Sequence, residues 1–171
     1  GGDLVGHVGD IGHRFADADQ RLVERIRERT GIPATTAVLA LNELMALGDI
    51  RRLALVTPYT ADVQQRIVDN YAARGIEVVA ERHLDIRVNH DFALVDPDRL
   101  HVLMGEVAAS QPQAITTFCT NLRAAPLAEV IEAEFDIPLL DTVSTTVWGA
   151  LRAIDADPSI VQGWGRLFAW K

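Results

Sequence analysis

The sequence predicts an α/β fold built on a parallel sheet covered by helices on both faces. Two observations carry this. Short apolar runs of strand length alternate with amphipathic stretches of helix length along the chain. Gly and Pro punctuate the changes between them, as breakers do in a chain that keeps switching between two periods.

The elements follow in order. Leu22, Val23 and Ile26 share one face of a helix over 19–30, which Gly31-Ile32-Pro33 ends. Residues 38–47 are apolar at helical spacing and stop at Gly48. Leu53, Ala54, Leu55 and Val56 read as a buried strand, closed by Thr57-Pro58. A helix over 63–73 ends at Gly75, and a strand over 76–80 follows. Residues 97–109 predict a helix, 114–118 a strand, and 126–135 a helix with Pro126 near its first turn. A short strand over 138–140 and a helix over 143–154 complete the pattern.

The chain also echoes itself. A helix through Arg25 to Thr30 leads to Ile32-Pro33, a strand, the hydroxyls of Thr35 and Thr36, and an apolar helix. A helix through Val130 to Phe135 leads to Ile137-Pro138, a strand, the hydroxyls of Thr142, Ser144 and Thr145, and another apolar helix. The two Ile-Pro pairs lie 105 residues apart. A duplicated α/β unit predicts two similar lobes with a cleft between them, although any two such units share this outline.

The bulk numbers exclude some functions. The chain has 171 residues, 49% hydrophobic and 23% charged, which suits one good core or two small ones. Net charge is −8 and the pI about 5.0, arguing against nucleic acid or an anionic membrane as partner. A small anion stays open, because a binding site is local and net charge is not. No run reaches the roughly 18 apolar residues that span a bilayer, and no signal peptide opens the sequence. One cysteine excludes an internal disulfide and fits a reducing compartment, so a cytoplasmic protein is expected.

Cys119 is the first candidate for chemistry. It follows the 114–118 strand and precedes Thr120-Asn121-Leu122-Arg123. Ligands of open parallel sheets bind beyond the carboxyl ends of strands. Backbone N–H groups entering the next helix would lower the thiol pKa from about 8.5 and hold a carboxylate oxygen. A buried small apolar residue is the rival reading of a lone cysteine. Thr57-Pro58-Tyr59-Thr60 ends another strand, and its hydroxyls can donate to an anion there; Thr60 as a helix cap and Tyr59 as a packed ring is the alternative. Asn89, in the polar loop Arg87-Val88-Asn89-His90-Asp91, reads alone as a turn residue.

Other features point to no ligand. Gly6, Gly9 and Gly12 match neither the dinucleotide nor the phosphate-loop spacing and read as a linker or a lid. The five histidines, His7, His13, His83, His90 and His101, show no metal-ligand spacing, so neither a metal nor another cofactor is expected. Gly163-Trp164-Gly165-Arg166-Leu167-Phe168 closes the chain, with aromatics suited to pack the tail onto the body.

Val56-Thr57-Pro58-Tyr59, the Asn89 loop, Cys119-Thr120-Asn121-Leu122-Arg123 and the closing Gly-Trp-Gly-Arg-Leu-Phe together resemble the maleate cis–trans isomerase branch of the aspartate/glutamate racemase superfamily. Arylmalonate decarboxylase is a relative on the same fold. The resemblance runs from about Leu22 onward, with 30 residues from Tyr59 to Asn89 and 30 from Asn89 to Cys119. It implies two pseudo-symmetric flavodoxin-like lobes with the active site between them, each normally bearing one cysteine loop. Residues 1–48 and 141–171 would be what this chain holds of the first lobe, and 49–140 the second. The first lobe's opening βαβ part, on the order of 70 residues, and its cysteine would fall before Gly1, so a longer protein is expected; the alternative is a one-cysteine variant, which would not support two-thiol chemistry.

The resemblance further implies a cofactor-independent enzyme acting on a small carboxylate, and a homodimer. Cys119 would be catalytic, with Tyr59, Asn89, Thr57, Thr120 and Asn121 holding substrate carboxylates. Maleate-to-fumarate isomerisation is the first expectation. Decarboxylation of an arylmalonate, which needs one thiol, and amino-acid racemisation, which needs two, are the enzymatic alternatives. A non-catalytic dicarboxylate-binding module is the alternative from another class.

Overall fold

The structure, a computed structural model, describes residues 14–170, with side chains from Ala18 onward. Gly6, Gly9, Gly12, His7 and His13 lie outside the described residues. The chain alternates helix and strand: α1 (Arg14–Thr30), α2 (Ala37–Leu47), β1 (Arg52–Thr57), α3 (Ala61–Ala73), β2 (Glu77–His83), α4 (Pro97–Ala108), β3 (Ala114–Thr116), α5 (Ala128–Phe135), β4 (Leu139–Leu140) and α6 (Thr142–Ala153). Short 3₁₀ segments cover Asn89–Leu94, Ala125–Leu127, Pro158–Ile160 and Arg166–Ala169.

The four strands form one parallel sheet in the order β2-β1-β3-β4. The α/β class and the parallel sheet read from the sequence are therefore present. Side chains alternate across each strand, so the central strands feed two cores. Ala54, Val56, Ile115 and Leu139 face α4 and α5, where Leu100, Leu103, Met104, Val107 and Ile131 are buried. Leu53, Leu55, Ala114 and Leu140 face the other way, onto Leu41 and Leu44 of α2, Ile67 and Tyr71 of α3, Trp148 of α6, and Leu167 and Phe168 of the closing segment. Parallel strands buried on both faces are why 53–56 reads as an unbroken apolar run.

The order places the topological switch between β1 and β3. The chain leaves β1 toward β2 on one side and returns through α4 to β3 on the other. The loops after β1 and β3 therefore leave adjacent strand ends at the carboxyl edge, the place where open parallel sheets bind their ligands.

Three sequence expectations are corrected. The strand expected over 114–118 stops at Thr116, because the chain leaves the ladder and turns at Phe118, where φ is +53°. The helix expected over 126–135 begins at Ala128, after a turn and the Ala125–Leu127 3₁₀ segment, so the N–H groups past Cys119 do not enter it directly. The strand expected after Ile32-Pro33 does not form, since residues 31–36 pair with no strand among those described. Its counterpart after Pro138 does form, because Ile115 and Thr116 supply a ladder to pair with.

The two helices of the echo pack on each other. Thr36 caps α2 by accepting from the Leu39 N–H at 3.2 Å, and Asp141 caps α6 by accepting from the Val143 and Ser144 N–H groups at 2.8 and 3.1 Å. Gly149 of α6 meets Ala40 of α2 so closely that an added Cβ would lie 2.5 Å from the Ala40 methyl. Arg152 closes the contact through Glu43 at 3.3 Å. The tail behaves as its aromatics suggest in part: Leu167 and Phe168 are buried, and the Trp170 carbonyl accepts from the Trp148 indole at 3.2 Å, while Trp164 stays exposed.

Candidate active site

The loops after β1, β2 and β3 converge at the carboxyl edge of the sheet. Backbone bonds join the first two: Leu84 N–H to Thr57 O, Asp85 N–H to Tyr59 O and Ile86 N–H to Pro58 O, at 3.0–3.1 Å. The Asn89–Leu94 3₁₀ segment then sends Phe92 inward, edge-on to the Tyr59 ring at 5.8 Å between centroids. Sequence reasoning had no signal for Phe92, whose burial depends on where that segment lands.

Tyr59 crosses to the third loop. Its hydroxyl donates to the Phe118 carbonyl at 2.9 Å. Burial pushes the phenol pKa up, and the Cys119 sulfur beside it adds to the rise, so Tyr59 remains a donor at ordinary pH. Phe118 turns its ring into the core on the α3 face, edge-on to Tyr71 at 6.0 Å. Cys119 enters the opposite core, 7% exposed and free of any disulfide. A bulky residue at positive φ is a genuine outlier, with a cost on the order of 1–3 kcal/mol. The strain falls on the residue before the thiol.

Past Cys119 the chain is poor in internal partners. Among the described residues, none accepts from the backbone N–H groups of Cys119, Thr120 or Asn121. Successive free N–H groups in a turn make a concavity that favours an anion. They belong to a loop, not to a helix N-terminus as expected. The Asn121 amide donates to Asn89 Oδ1 at 2.5 Å, tying the loop after β3 to the loop after β2. Thr120, Asn121, Asn89 and His90 are all exposed there.

Thus the structure brings Tyr59, Cys119, Asn89 and Asn121 to one edge, with Thr120 beside the thiol. Thr57 stands apart from that rim. It is fully buried, and its hydroxyl donates to Gln64 Oε1 of α3 at 2.6 Å. Thr60 donates to Asp62 at 2.6 Å and makes no capping bond of its own.

Behind the thiol loop stands Asp141, fully buried at the end of β4. Besides capping α6 it accepts from the Thr117 hydroxyl at 3.2 Å. Burial raises its pKa, against the pull of those hydrogen bonds. An Asp preceding an apolar helix is a readable cap signal, although its bond to Thr117 is not.

No group of three or more His, Cys, Asp or Glu among the described residues is placed to hold a metal ion, and no described helix is long and apolar enough to cross a membrane. A cavity of 330 Å³ lies elsewhere, between α5 and the closing segment, lined by Glu129, Glu132, Gln162 and Arg166 among others.

Comparison with known proteins adds relatives to this geometry. The model of the arylmalonate decarboxylase family matches residues 12–168. Arylmalonate decarboxylase of Bordetella bronchiseptica is 31% identical over 159 residues, covering 91% of this chain and 66% of its own. A maleate isomerase of Nocardia farcinica is 30% identical over 129 residues, covering 75% of this chain and 51% of its own. The chain thus spans between half and two thirds of the length of these relatives. Among solved structures, a mutant maleate cis–trans isomerase from Nocardia farcinica, with a cysteine replaced by serine and a covalently bound succinylcysteine intermediate, superposes with a TM-score of 0.79 at 26% identity. It covers 88% of this chain and 63% of that one. A liganded arylmalonate decarboxylase with one glycine changed to cysteine and one cysteine to serine gives a TM-score of 0.79 at 26% identity, covering 87% and 64%.

Proposed function

The chain belongs to the arylmalonate decarboxylase family, and on that footing we propose that it carries the Cys119 half of a cofactor-independent active site that isomerises a small dicarboxylate of the maleate type. The observation that carries the proposal is the meeting of three loops around one thiol. Tyr59 and the N–H groups of Cys119, Thr120 and Asn121, which no described residue accepts from, lie on the same edge as the Asn89–Asn121 pair.

The chemistry requires that arrangement. Isomerising a cis double bond without a cofactor needs a temporary single bond. A thiolate adds to one olefinic carbon, and the π electrons move onto the adjacent carboxylate as an enediolate. Cys119 donates its proton to the neighbouring carbon, and rotation about the single bond follows. The Cys119 thiolate then takes the proton back, the electron pair re-forms the double bond and the added sulfur leaves. Nothing is consumed. The dianionic enediolate is the species to be stabilised, and the backbone N–H groups past Cys119, with the Asn89 and Asn121 amides, are donors for its carboxylates. The adding thiol comes from the opposing lobe, with the two lobes pseudo-symmetric about the cleft.

The same proposal assigns residues 1–48 and 141–171 to the first lobe and 49–140 to the second, and takes the working protein as a cytoplasmic homodimer.

A second reading is decarboxylation of an arylmalonate. It suits a protein whose first-lobe loop carries no thiol, because protonating the enediolate left by carbon dioxide loss needs a single one. It is favoured by the 31% identity to an enzyme of that name.

Proton NMR of the full-length protein with maleate, beside its Cys119→Ala variant, tests the choice. Fumarate that forms with the parent protein and falls at least a thousandfold with the variant supports isomerisation. Carbon dioxide released from an arylmalonate, with maleate untouched, establishes the second reading. Fumarate formed equally by the variant removes Cys119 from the chemistry.

A further inference from the structure

We propose that Phe118 is a positioning residue, whose left-handed backbone, fastened through its carbonyl by the Tyr59 hydroxyl, sets the direction of the Cys119 thiol. The proposal rests on the reading of Cys119 as the reacting group.

Three observations meet here. β3 ends at Thr116, two residues short of Phe118, so the sheet does not hold the thiol in place. Phe118 has φ of +53°, a region that side-chain-bearing residues seldom adopt and that a bulky ring disfavours further. Two contacts on opposite sides hold it there. The Tyr59 hydroxyl takes the carbonyl at 2.9 Å, and the Phe118 ring sits edge-on to Tyr71 in the α3-side core. An extended residue at 118 would send 119 along the strand direction. The left-handed turn instead redirects the chain at that point, so that Cys119, buried in the core opposite the Phe118 ring, and the N–H groups of 119–121 leave the strand direction. Tyr59 is braced in its own right by Phe92, so the fastening point does not drift.

The test separates backbone conformation from ring packing. Asn tolerates the left-handed region and Val, being β-branched, opposes it, while both remove the ring. The rate at which iodoacetamide alkylates Cys119 is read across pH 6–10 by intact mass, on the full chain, together with kcat and KM where turnover exists. Phe118→Asn is expected to alkylate within about threefold of the parent protein. Phe118→Val is expected to shift the alkylation rate at least tenfold and lower kcat, with KM nearly unchanged. Equal behaviour of the two variants overturns the proposal, since the ring alone would then matter. If Phe118→Val does not fold, Phe118→Gly against Phe118→Ala decides, since both remove the ring and only Gly adopts the left-handed region freely: alkylation differing tenfold supports the proposal, and equal alkylation overturns it. Alkylation needs no substrate, so a failed reading of the reaction shows as absent turnover and leaves this outcome standing by itself. Ile67→Val, in the α3-side core, controls for loosened packing by lowering the melting temperature with no change in alkylation.

Discussion

The Tyr59 hydroxyl and the Phe118 carbonyl, 59 residues apart in sequence, share a hydrogen bond of 2.9 Å that joins the loops after the two central strands. Both tyrosines of the chain, Tyr59 and Tyr71, have phenol pKa values raised chiefly by burial. An ordinary phenol is half ionised near pH 10. The native protein is therefore expected to show almost no phenolate absorbance at 295 nm at pH 10, and full absorbance once unfolded in urea. The sign follows from linkage: a raised folded pKa favours the fold below about pH 10 and loses that contribution as pH climbs through the folded value. Half-ionisation of either tyrosine in the native protein at pH 10 would contradict the packing described. Tyr59→Phe should lower stability by about 1 kcal/mol, the net worth of a neutral hydrogen bond, measured by urea unfolding.

Gly149 is predicted to be intolerant of even a methyl group. Its Cβ would stand 2.5 Å from the Ala40 Cβ and 3.3 Å from the Thr35 methyl, so α2 and α6 would have to move apart. Overpacking of this kind costs roughly 1–3 kcal/mol. Gly149→Ala should lower the urea midpoint accordingly, despite the better helix propensity of Ala. A stabilised variant would show that the two helices are not in this contact.

Asp141 is expected to shape the acid side of the stability curve. Its folded pKa is raised above the model-peptide value by burial, so its contribution favours the fold below about pH 4 and declines as pH rises through the folded value. Asp141→Asn keeps an oxygen to cap α6 and removes the buried charge. Urea melts from pH 3.5 to 7 should show the variant gaining on the parent protein as pH rises. A difference constant with pH would mean that Asp141 does not titrate as its burial implies.

Glu132 holds the closing segment to α5. Its buried carboxylate accepts the Leu139 N–H at 3.0 Å and the Arg166 N–H at 2.9 Å, while the Arg166 guanidinium donates to the Glu132 carbonyl at 2.7 Å. Glu132→Gln leaves one acceptor oxygen where two N–H groups converge. A loss of about 1.5–3 kcal/mol is expected from weakened bonds to a charged group. Limited proteolysis should then cut after Gly163 well before the body of the protein, and resistance equal to the parent's would show that the segment is held by Leu167 and Phe168 alone.

The amino-acid sequence by itself determined the alternation of elements and the two-faced burial of the central strand, because periodicity and breakers act within a few residues. It also pointed to Cys119, Tyr59, Asn89 and Asn121, as polar or reactive groups beyond apolar runs and as parts of a family resemblance. Only the tertiary structure decided that the strands order as β2-β1-β3-β4, that β3 ends at Thr116, and that Tyr59 and Asn121 reach across to other loops. Those facts depend on register between segments far apart, to which local patterning is blind. Phe118 is the plainest case: nothing in Thr-Thr-Phe-Cys announces a left-handed phenylalanine. That conformation exists because a hydroxyl from one loop and a ring edge from α3 hold it against its own preference.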